Sequence, residues 1–344
     1  MENHHVIVIG TSAGGVQALT TLIRLLPKNF AASIYIVQHI SSEAPSNLAT
    51  ILSKIGQLPI AFAQDKQLIE PGHIYIAPPD LHLLLESNFM RTIKGPRENR
   101  MRPAIDPLFR SAAVAYNSYA TGVILTGMLD DGTAGLQAIK ACGGMAIVQQ
   151  PEDAEYKSMP ESAIANVEVD KVAPIKDIPS ILLERITEKP APVSQIPADL
   201  QLEMPIVEDA ITKPEIMAKI GKPVAHSCPS CGGPLWQIGH DSLLRYRCHV
   251  GHAFTSHSLI EEQNEATEKA LWIALRTLEE RSRLLKTMSD RYKEKGADSL
   301  ADVHQKRSQE AFDHSILIRN LIRDVKTVAK YSAQEKFKNN VANY

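Results

Sequence analysis

Between residues 6 and 186, short runs of β-branched residues alternate with amphipathic stretches, and this alternation constrains the fold more than any other feature. Strands that alternate with helices form βαβ units, because a parallel neighbour can be reached only by crossing over the sheet. We therefore predict an α/β domain with a doubly wound, mostly parallel sheet that carries helices on both faces. The predicted strands have the sequences VIVIG, SIYIVQH, GVILTG and MAIVQQ.

The segment from His73 to Glu86 interrupts this alternation. Its sequence, HIYIAPPDLHLLLE, reads as two short strands on either side of Pro78 and Pro79. Strands joined by such a turn pair with each other, so we predict an antiparallel hairpin appended to the parallel sheet.

The composition and the hydrophobic pattern of the sequence change three times after residue 186. A length of 344 residues is enough for two or three domains. Six prolines between 187 and 225, without a sustained hydrophobic period, predict a semi-rigid linker that separates two folding units. Residues 226–258 contain a cluster of cysteine and histidine, and residues 259–344 read as two long helices separated near Gly296. The predicted order is an α/β domain over 1–186, the linker, a small metal-binding module and an α-helical hairpin.

Charge and cysteine content limit the class of protein. The formal net charge of -2 argues against a nucleic-acid-coating role. Three of the four cysteines fall within one short stretch, which indicates a metal site in a reducing compartment. The first predicted strand begins at residue 6, too early for a signal peptide, and no apolar run is long enough to cross a bilayer. We therefore expect a cytoplasmic protein without membrane insertion.

The turn from Gly10 to Gly15, GTSAGG, follows the first predicted strand and permits two interpretations. A glycine-rich turn can cradle a dinucleotide phosphate, but the Gly-x-Gly-x-x-Gly spacing is absent, and the second strand ends in Gln38 and His39 rather than in an acid. Read as Gly-x-Ser-x-Gly, the same turn presents the hydroxyl group of Ser12 at the tip of a strand.

Two further residues favour the second interpretation. A right-handed crossover places the second strand beside the first, so that His39 leaves the sheet at the same edge as Ser12. A later strand, GVILTG, ends shortly before Asp130 and Asp131 and brings carboxylates to that edge. We predict a triad in which Ser12 is the nucleophile, His39 the general base and Asp131 the group that orients the imidazole, while Asp130 stays open as the orienting group.

The stabilisation of a reacting oxyanion needs backbone donors near the serine. The amide of Ala13 is the predicted first donor, and the region of Met128 is the candidate for the second. The chain order Ser, His, Asp differs from the Ser, Asp, His order of α/β-hydrolases, so the serine motif does not indicate that fold.

At these residues the sequence resembles the catalytic domain of bacterial chemotaxis protein-glutamate methylesterases. The resemblance covers about residues 5–186, and its motifs occur in the same order as in that family. They are VIVIGTSAGGVQAL, IVQHI, APPDLHLLLE, RPAIDPLFRSAA, GVILTGMLDDGTAGL and the pair Met159 and Pro160.

The resemblance implies hydrolysis of glutamyl methyl esters on a chemoreceptor or a related signalling protein, with glutamine deamidation as a second reaction through the same acyl-enzyme. It places the family's serine, histidine and aspartate on Ser12, His39 and Asp131. Chemotaxis enzymes carry a receiver domain before the catalytic domain, so phosphorylation control in cis is expected to be absent here. Many also have threonine after the serine, where this chain has Ala13.

A function of another class is a non-catalytic signalling adaptor that binds acidic or methylated helices and a kinase. The complete set of serine, histidine and aspartate favours the enzyme, because a binding protein has no need of all three. Three more residues that lie in motifs of the resemblance are expected to build the site rather than to catalyse. They are His82, Asp106 and Arg110.

A basic segment precedes the sequence Pro103 to Asp106. It carries five cations against one acid, Glu98, within twelve residues. Two interpretations stay open, a solvated loop and a docking surface for an acidic helical substrate. The cations are Arg91, Lys94, Arg97, Arg100 and Arg102.

The cysteine and histidine cluster has the spacing of a structural zinc site. Cys228 and Cys231 form a Cys-x-x-Cys pair, and Cys248 follows 17 residues after Cys231. We predict His252 as the fourth ligand in preference to His249, because the gap of three residues after Cys248 lets both side chains face one ion. Three thiolates and one imidazole suit tetrahedral zinc in a closed site with a structural role.

The two C-terminal helices carry apolar residues at alternating spacings of three and four, so we predict that they pack as an antiparallel hairpin. This stripe forms either an ordinary helical core or an interface for a second copy or a partner. A histidine kinase and a methyltransferase are the expected partner classes. The predicted stripe residues are Leu271, Leu275, Leu278, Leu285 and Tyr292 in the first helix and Ile318, Leu321, Val325 and Val328 in the second.

Overall fold

A computed structural model of the chain describes residues 4–40, 46–191, 196–209, 214–239 and 243–339. For residues 208, 209 and 324–339 it describes the backbone but not the side chains. The chain divides into two compact units, Met1–Ile260 and Glu261–Tyr344. The strands are β1 Val6–Thr11, β2 Ser33–Gln38, β3 Ile60–Phe62, β4 Gln67–Leu68, β5 Ile74–Ile76, β6 His82–Leu85, β7 Phe89–Ile93, β8 Ala120–Ile124, β9 Met145–Gln149, β10 Lys171–Ala173, β11 Gly221–Ser227, β12 Pro234–Ile238, β13 Arg245–Cys248 and β14 Ala253–Thr255. The helices are α1 Gly15–Leu25, α2 Leu48–Ser53, α3 Ile105–Tyr116, α4 Thr133–Ala141, α5 Ser158–Asn166, α6 Ile178–Arg185, α7 Ala198–Asp209, α8 Pro214–Ile220, α9 Ser256–Glu294 and α10 Asp298–Asn339.

The first unit is built on a seven-stranded sheet in the order β10-β9-β8-β1-β2-β5-β3. Every pairing in this sheet is parallel. The strand order reverses at β1, which lies between β2 on one side and β8 on the other. A reversal of this kind opens a crevice at the carboxyl ends of the strands, and the predicted doubly wound architecture is confirmed.

Helices cover both faces of the sheet because its strands are apolar on both faces. Ile7 and Ile9 belong to a core that includes residues of α1, α2 and α6, while Val6 and Val8 belong to a core that includes residues of α3, α4 and α5. Alternate residues of one strand point to opposite faces, so the continuous run of β-branched residues supplies both cores at once.

The predicted antiparallel hairpin forms at a different place. The two strands expected between His73 and Glu86 exist, but β5 joins the parallel sheet and β6 pairs instead with β7 in a separate sheet of order β4-β7-β6. The prediction that these two strands pair with each other is therefore wrong. A two-residue turn at Ser87 and Asn88, closed by the hydrogen bond from Glu86 N to Phe89 O, joins β6 to β7 tightly, as hairpin strands require.

The segment predicted as a linker contains two helices. α7 continues through Pro205, and α8 follows the undescribed residues 210–213. Ile206 from α7 and Met217 from α8 pack on Trp236 and Ile238 of the next sheet. The separation into two folding units that the prolines led us to expect is not found, because residues 1–260 form one compact unit.

The strands β11 to β14 form a four-stranded antiparallel sheet, and we call residues Gly221–Thr255 the ribbon. A cluster of buried ions joins the ribbon to the rest of its unit. Arg247 of β13 donates to Glu98 at 2.9 Å and to Glu203 of α7 at 2.7 Å, and Arg110 of α3 donates to Glu98 at 2.6 Å. Burial opposes the ionisation of Glu98, but the two guanidinium groups outweigh it and lower the pKa of this carboxyl.

The two predicted long helices are α9 and α10, with the break at Gly296, and all but the first five residues of α9 belong to the second unit. They pack antiparallel, because Ser282 Oγ bonds to Ser308 O at 2.9 Å and Ser289 Oγ to Ala301 O at 2.8 Å. The predicted stripe differs in the second helix, where Leu321 is exposed and Ile322 is buried. The side chains of Val325 and Val328 lie outside the described residues. None of the described helices combines the length and the apolar content needed to span a bilayer.

The buried ion cluster yields a prediction about stability. Replacing Arg247 by Met removes the cation that donates to both Glu98 and Glu203, and leaves each of these buried carboxylates with one hydrogen-bonded arginine, Arg110 or Arg245. We expect the unfolding free energy of the first unit to fall by about 3 kcal/mol. The measurement is the urea midpoint followed by tryptophan fluorescence. Arg24→Met, at an exposed arginine in α1, is the control and should change stability by no more than about 0.5 kcal/mol. Equal midpoints for the two variants would contradict the structural role of the cluster.

Candidate active site

Ser12 stands where β1 ends and α1 begins, in a turn whose shape depends on two glycines. Gly14 has a left-handed φ of 76°, and a Cβ atom on Gly15 would lie 2.0 Å from Gln38 Oε1. Ser12 N donates to Thr126 O at 3.0 Å, and Gln38 Nε2 donates to Ser12 O at 2.8 Å. The serine backbone is therefore held by the last residue of β2 and by the segment that follows β8.

His39 follows β2 and lies between the other two residues of the predicted triad. Its Nδ1 is 3.1 Å from Ser12 Oγ, and its Nε2 is 2.8 Å from Asp131 Oδ2. A carboxylate can only accept a hydrogen bond, so the arrangement selects the tautomer with hydrogen on Nε2 and leaves Nδ1 to accept from the serine hydroxyl. The imidazole is 7% exposed, which shields both hydrogen bonds from water.

Asp131 follows β8 and accepts hydrogen bonds from several elements. Besides His39, the donors are Ile105 N at 2.7 Å and Asn99 Nδ2 at 2.9 Å, with longer bonds from Asp106 N and Gly132 N. Ile105 and Asp106 open α3, so the positive end of a helix faces the carboxylate. Burial opposes ionisation, but the hydrogen bonds and the nearby imidazole outweigh it and lower the pKa of Asp131.

Asp130, the alternative orienting carboxylate, faces away from His39. Its oxygens accept hydrogen bonds from Thr255 Oγ1 at 2.8 Å and from His257 Nδ1 at 3.2 Å, both at the C-terminal end of the first unit. Burial raises the pKa of Asp130. The structure therefore brings Asp131, and not Asp130, to the imidazole.

Two backbone amides near Ser12 suit an oxyanion. Within the part of the chain that the structure describes, Ala13 N and Met128 N have no hydrogen-bond partner. Gly127, which precedes Met128, lies so close that a Cβ atom there would be 2.9 Å from Ser12 Cβ. The amide of Gly127 itself donates to Tyr156 O at 3.0 Å, so Met128 N is the better second donor in this loop.

The three residues expected to build the site are buried and support it indirectly. His82 accepts a hydrogen bond from Ala104 N and bonds to Pro96 O, which holds the loop before α3. Arg110 belongs to the ion cluster. Asp106 accepts hydrogen bonds from Gly135 N and Asn99 Nδ2, and burial together with the charge of Asp131 raises the pKa of Asp106 to about 7.

Asn99 is a further residue of the site that was not predicted, and its side chain donates to both Asp106 and Asp131. It lies among the cations of the basic segment, and no spacing rule singles it out. Lys94 and Arg97 of that segment are exposed, so the solvated loop and the docking surface both stay predictions, but part of the charge is paired within the protein. Lys94 and Arg102 pair with Asp80, while the acid Glu98 is buried in the ion cluster.

The ribbon brings together the four predicted metal ligands, and their donor atoms all lie within 4.8 Å of one another. Cys231 Sγ is 3.7 Å from Cys248 Sγ, and His252 Nδ1 is 3.6 Å from Cys248 Sγ. Sulfur ligands about 2.3 Å from one tetrahedral ion stand about 3.7 Å apart, so the group has the dimensions of a metal site. Cys228 completes it, and His249 is not a member.

Comparisons with known proteins agree with this arrangement. A relative from Leptospira interrogans, provisionally named protein-glutamate methylesterase/protein-glutamine glutaminase, is 43% identical over 183 residues, which are 53% of this chain and 94% of that protein. A protein-glutamate methylesterase/protein-glutamine glutaminase from Thermotoga maritima is 38% identical over 185 residues, and the match spans 54% of its length.

The fold is found in a solved structure as well. The crystal structure of the Thermotoga maritima CheB methylesterase catalytic domain matches with a TM-score of 0.51 at 38% identity and covers 53% of this chain and 98% of that one. The CheB methylesterase family matches residues 7–182, from β1 into α6, and so includes all three residues that meet at the sheet edge. The chain therefore belongs to the CheB methylesterase family.

Proposed function

We propose that the chain is a serine hydrolase that removes methyl groups from glutamyl methyl esters of a chemoreceptor or a related signalling protein. The observation that carries this proposal is the hydrogen-bonded line from Ser12 through His39 to Asp131, in a chain of the CheB methylesterase family. Its relatives are named both methylesterase and glutaminase, which supports glutamine deamidation as a second reaction.

The reaction begins with Ser12 Oγ, which attacks the ester carbonyl carbon while His39 Nδ1 takes the hydroxyl proton. The amides of Ala13 and Met128 donate to the oxygen that becomes negative. Asp131 stabilises the imidazolium through Nε2–H. The imidazolium then gives its proton to the departing methoxide, and methanol leaves an acyl-serine. Water, deprotonated by His39, hydrolyses this ester to glutamate, and a glutamine substrate passes through the same acyl-serine with ammonia as the leaving group.

One partner follows from this chemistry, because the substrate is a methylated protein. On a separate ground, the exposed apolar side chains of the helices, we assign binding of a kinase, a methyltransferase or a second copy to the second unit. These side chains include Trp272, Leu284 and Leu317. No specific observation favours a non-catalytic adaptor. The reduced thiols that the metal ligands require support a cytoplasmic location.

We propose that the ribbon binds one zinc ion with a structural role. Four protein ligands fill a tetrahedral coordination sphere, so no position is left for a substrate or water. The residues are of the type that zinc prefers, three thiolates and one imidazole. The ion would tie the turn between β11 and β12, which carries Cys228 and Cys231, to the turn that follows β13.

Substitution of the nucleophile and the base tests the proposed reaction. We expect Ser12→Ala and His39→Ala each to reduce methanol release from methylated receptor membranes by at least about 10⁴-fold, and the double variant to lose no more than either one, because the groups act as a unit. The measurement is the release of volatile radioactivity from methyl-labelled substrate. Full activity of Ser12→Ala would exclude a serine hydrolase.

The two adjacent aspartates can be compared directly. Asp131→Asn replaces a carboxylate that accepts the Nε2 hydrogen by an amide that favours the wrong imidazole tautomer, and we expect a loss of about 10⁴-fold in kcat. Asp130→Asn should have a much smaller effect, because Asp130 does not contact His39. Methanol release at saturating substrate measures both. The opposite ranking would transfer the orienting role to Asp130.

Metal analysis tests the ribbon. We expect one zinc per chain by mass spectrometry of the purified protein, and loss of the metal in Cys228→Ser and Cys248→Ser. Cys142→Ser is the matched control, because this buried cysteine in the α/β core is not a member of the group. Retention of zinc by both ligand variants, or absence of zinc from the wild-type protein, would contradict the proposed site.

A further inference from the structure

We propose that Asn99 is a positioning residue for the triad and that the metal-bearing ribbon holds it in place, so that the ribbon forms part of the hydrolase site. This inference rests on the proposed function and adds a residue and a module to it. It starts from the place of the Asn99 side chain, which is buried between the ribbon and Asp131.

The donor side of the Asn99 amide faces the triad. Nδ2 donates to Asp131 Oδ1 at 2.9 Å and to Asp106 Oδ2 at 2.9 Å, so each of its two hydrogens meets a carboxylate. Asp131 has its other oxygen on His39. The amide therefore fixes the rotation of the carboxylate that orients the imidazole.

The acceptor side of the same amide faces the C-terminal end of the ribbon. Asn99 Oδ1 accepts from Thr255 N at 3.0 Å and from Ser258 Oγ at 3.1 Å. The ionised Asp131 and the Thr255 amide permit one orientation of the Asn99 amide, because a flipped amide would set its oxygen against the Asp131 carboxylate and its NH₂ group against Thr255 N–H. The hydrogen bond from Thr255 of the ribbon thus orients the Asn99 amide so that its NH₂ group faces Asp131.

The backbone of the same segment pairs with β14, the edge strand of the ribbon. Asn99 N donates to Ala253 O at 2.8 Å, and Ala253 N donates to Arg97 O at 3.3 Å, so the chain before Asn99 lies beside β14 like an added strand. Arg247 stabilises this pairing, because it donates hydrogen bonds to Glu98 in the segment before Asn99 and to Gly251 O in the turn before β14.

Two of the four predicted metal ligands, Cys248 and His252, lie in the chain directly before β14. His252 precedes Ala253 in the chain, and its carbonyl accepts from Cys248 N at 3.0 Å, which closes the turn from β13 into β14. A metal ion bound by Cys248 and His252 locks that turn. Without the ion, only hydrogen bonds hold the turn, among them the one from Arg247 to Gly251 O, and the position of β14 beside Asn99 becomes less defined.

A second contact holds the loop that carries the aspartates. Asp130 accepts from Thr255 Oγ1 at 2.8 Å and from His257 Nδ1 at 3.2 Å, while its neighbour Asp131 faces His39. Thr255 therefore touches the triad loop twice, once through Asn99 and once through Asp130. The first route ends on Asp131, which orients the imidazole, and the second ends on its neighbour Asp130 in the same loop.

The first experiment replaces Asn99 by Gly in the full chain. Asn99 has a left-handed φ of 48°, a conformation that glycine adopts without strain, so the variant removes the amide and keeps the backbone. We expect kcat for methanol release to fall about 10²-fold with little change in KM, because small misplacements of a catalytic group cost about that much. Asn117→Gly is the matched control, since Asn117 has a φ of 50° at the end of α3, away from the triad.

A spectroscopic measurement separates positioning from general loss of structure. The ¹⁵N resonances of the His39 ring should report a single tautomer with hydrogen on Nε2 in the wild type and in Asn117→Gly, and a mixture of tautomers in Asn99→Gly. Unchanged tautomer and unchanged kcat in Asn99→Gly would overturn the role of Asn99.

The second experiment removes the metal from the full chain with a chelator. We expect faster hydrogen exchange at Asn99 N–H, the same mixture of His39 tautomers and a lower kcat, with recovery of all three on addition of zinc. Full protection of Asn99 N–H and unchanged kcat in metal-free protein would overturn the role of the ribbon.

These outcomes differ from a failure of the proposed function. If Ser12→Ala released methanol as fast as the wild type, the proposed serine hydrolase mechanism would be wrong. The tautomer and exchange measurements would still show whether the ribbon controls the tautomer of the His39 ring. If Ser12 proves essential and Asn99→Gly matches Asn117→Gly in every measurement, the proposed hydrolase function is supported and the proposed positioning role of Asn99 is wrong.

Discussion

The burial of Asp131 is the constraint on which the site depends, because a carboxylate that loses its water must find hydrogen-bond donors inside the protein. Its donors come from the start of α3, from its own loop, from Asn99 and from His39. Each belongs to a different part of the chain. These hydrogen bonds together keep the carboxylate ionised in a buried site, so the packing that brings the donors together also aligns the imidazole.

The buried ion cluster around Glu98 also depends on partners from distant parts of the chain. Glu98 and Arg247 are separated by 149 positions in the chain, yet they form a buried pair at 2.9 Å with Glu203 beside them. Buried charges tolerate few arrangements, because each needs its partner in place. The pair thereby sets the ribbon on the α/β layers at one orientation, and the segment before Asn99 is held between them.

The strand order explains why a chain with the order Ser, His, Asp builds this site without an α/β-hydrolase fold. β1 lies between β2 and β8, so residues that follow three neighbouring strands meet at one crevice. His39 arrives from one side of Ser12 and Asp131 from the other. The sheet reversal, and not the order of the residues along the chain, brings the three groups within hydrogen-bonding distance.

The sequence by itself determined the parallel sheet, the turn that presents Ser12, the strand ends that carry His39 and Asp131, and the spacing of Cys228, Cys231, Cys248 and His252, because all of these are local patterns of period or spacing. Only the tertiary structure decided that β6 pairs with β7, that the proline-rich segment folds as α7 and α8, and that Asp130 turns to the ribbon while Asp131 turns to the imidazole. These outcomes depend on contacts between distant segments. No local pattern marks Asn99, since its function comes from Thr255 on one side and Asp131 on the other, two residues that meet only when the ribbon has packed.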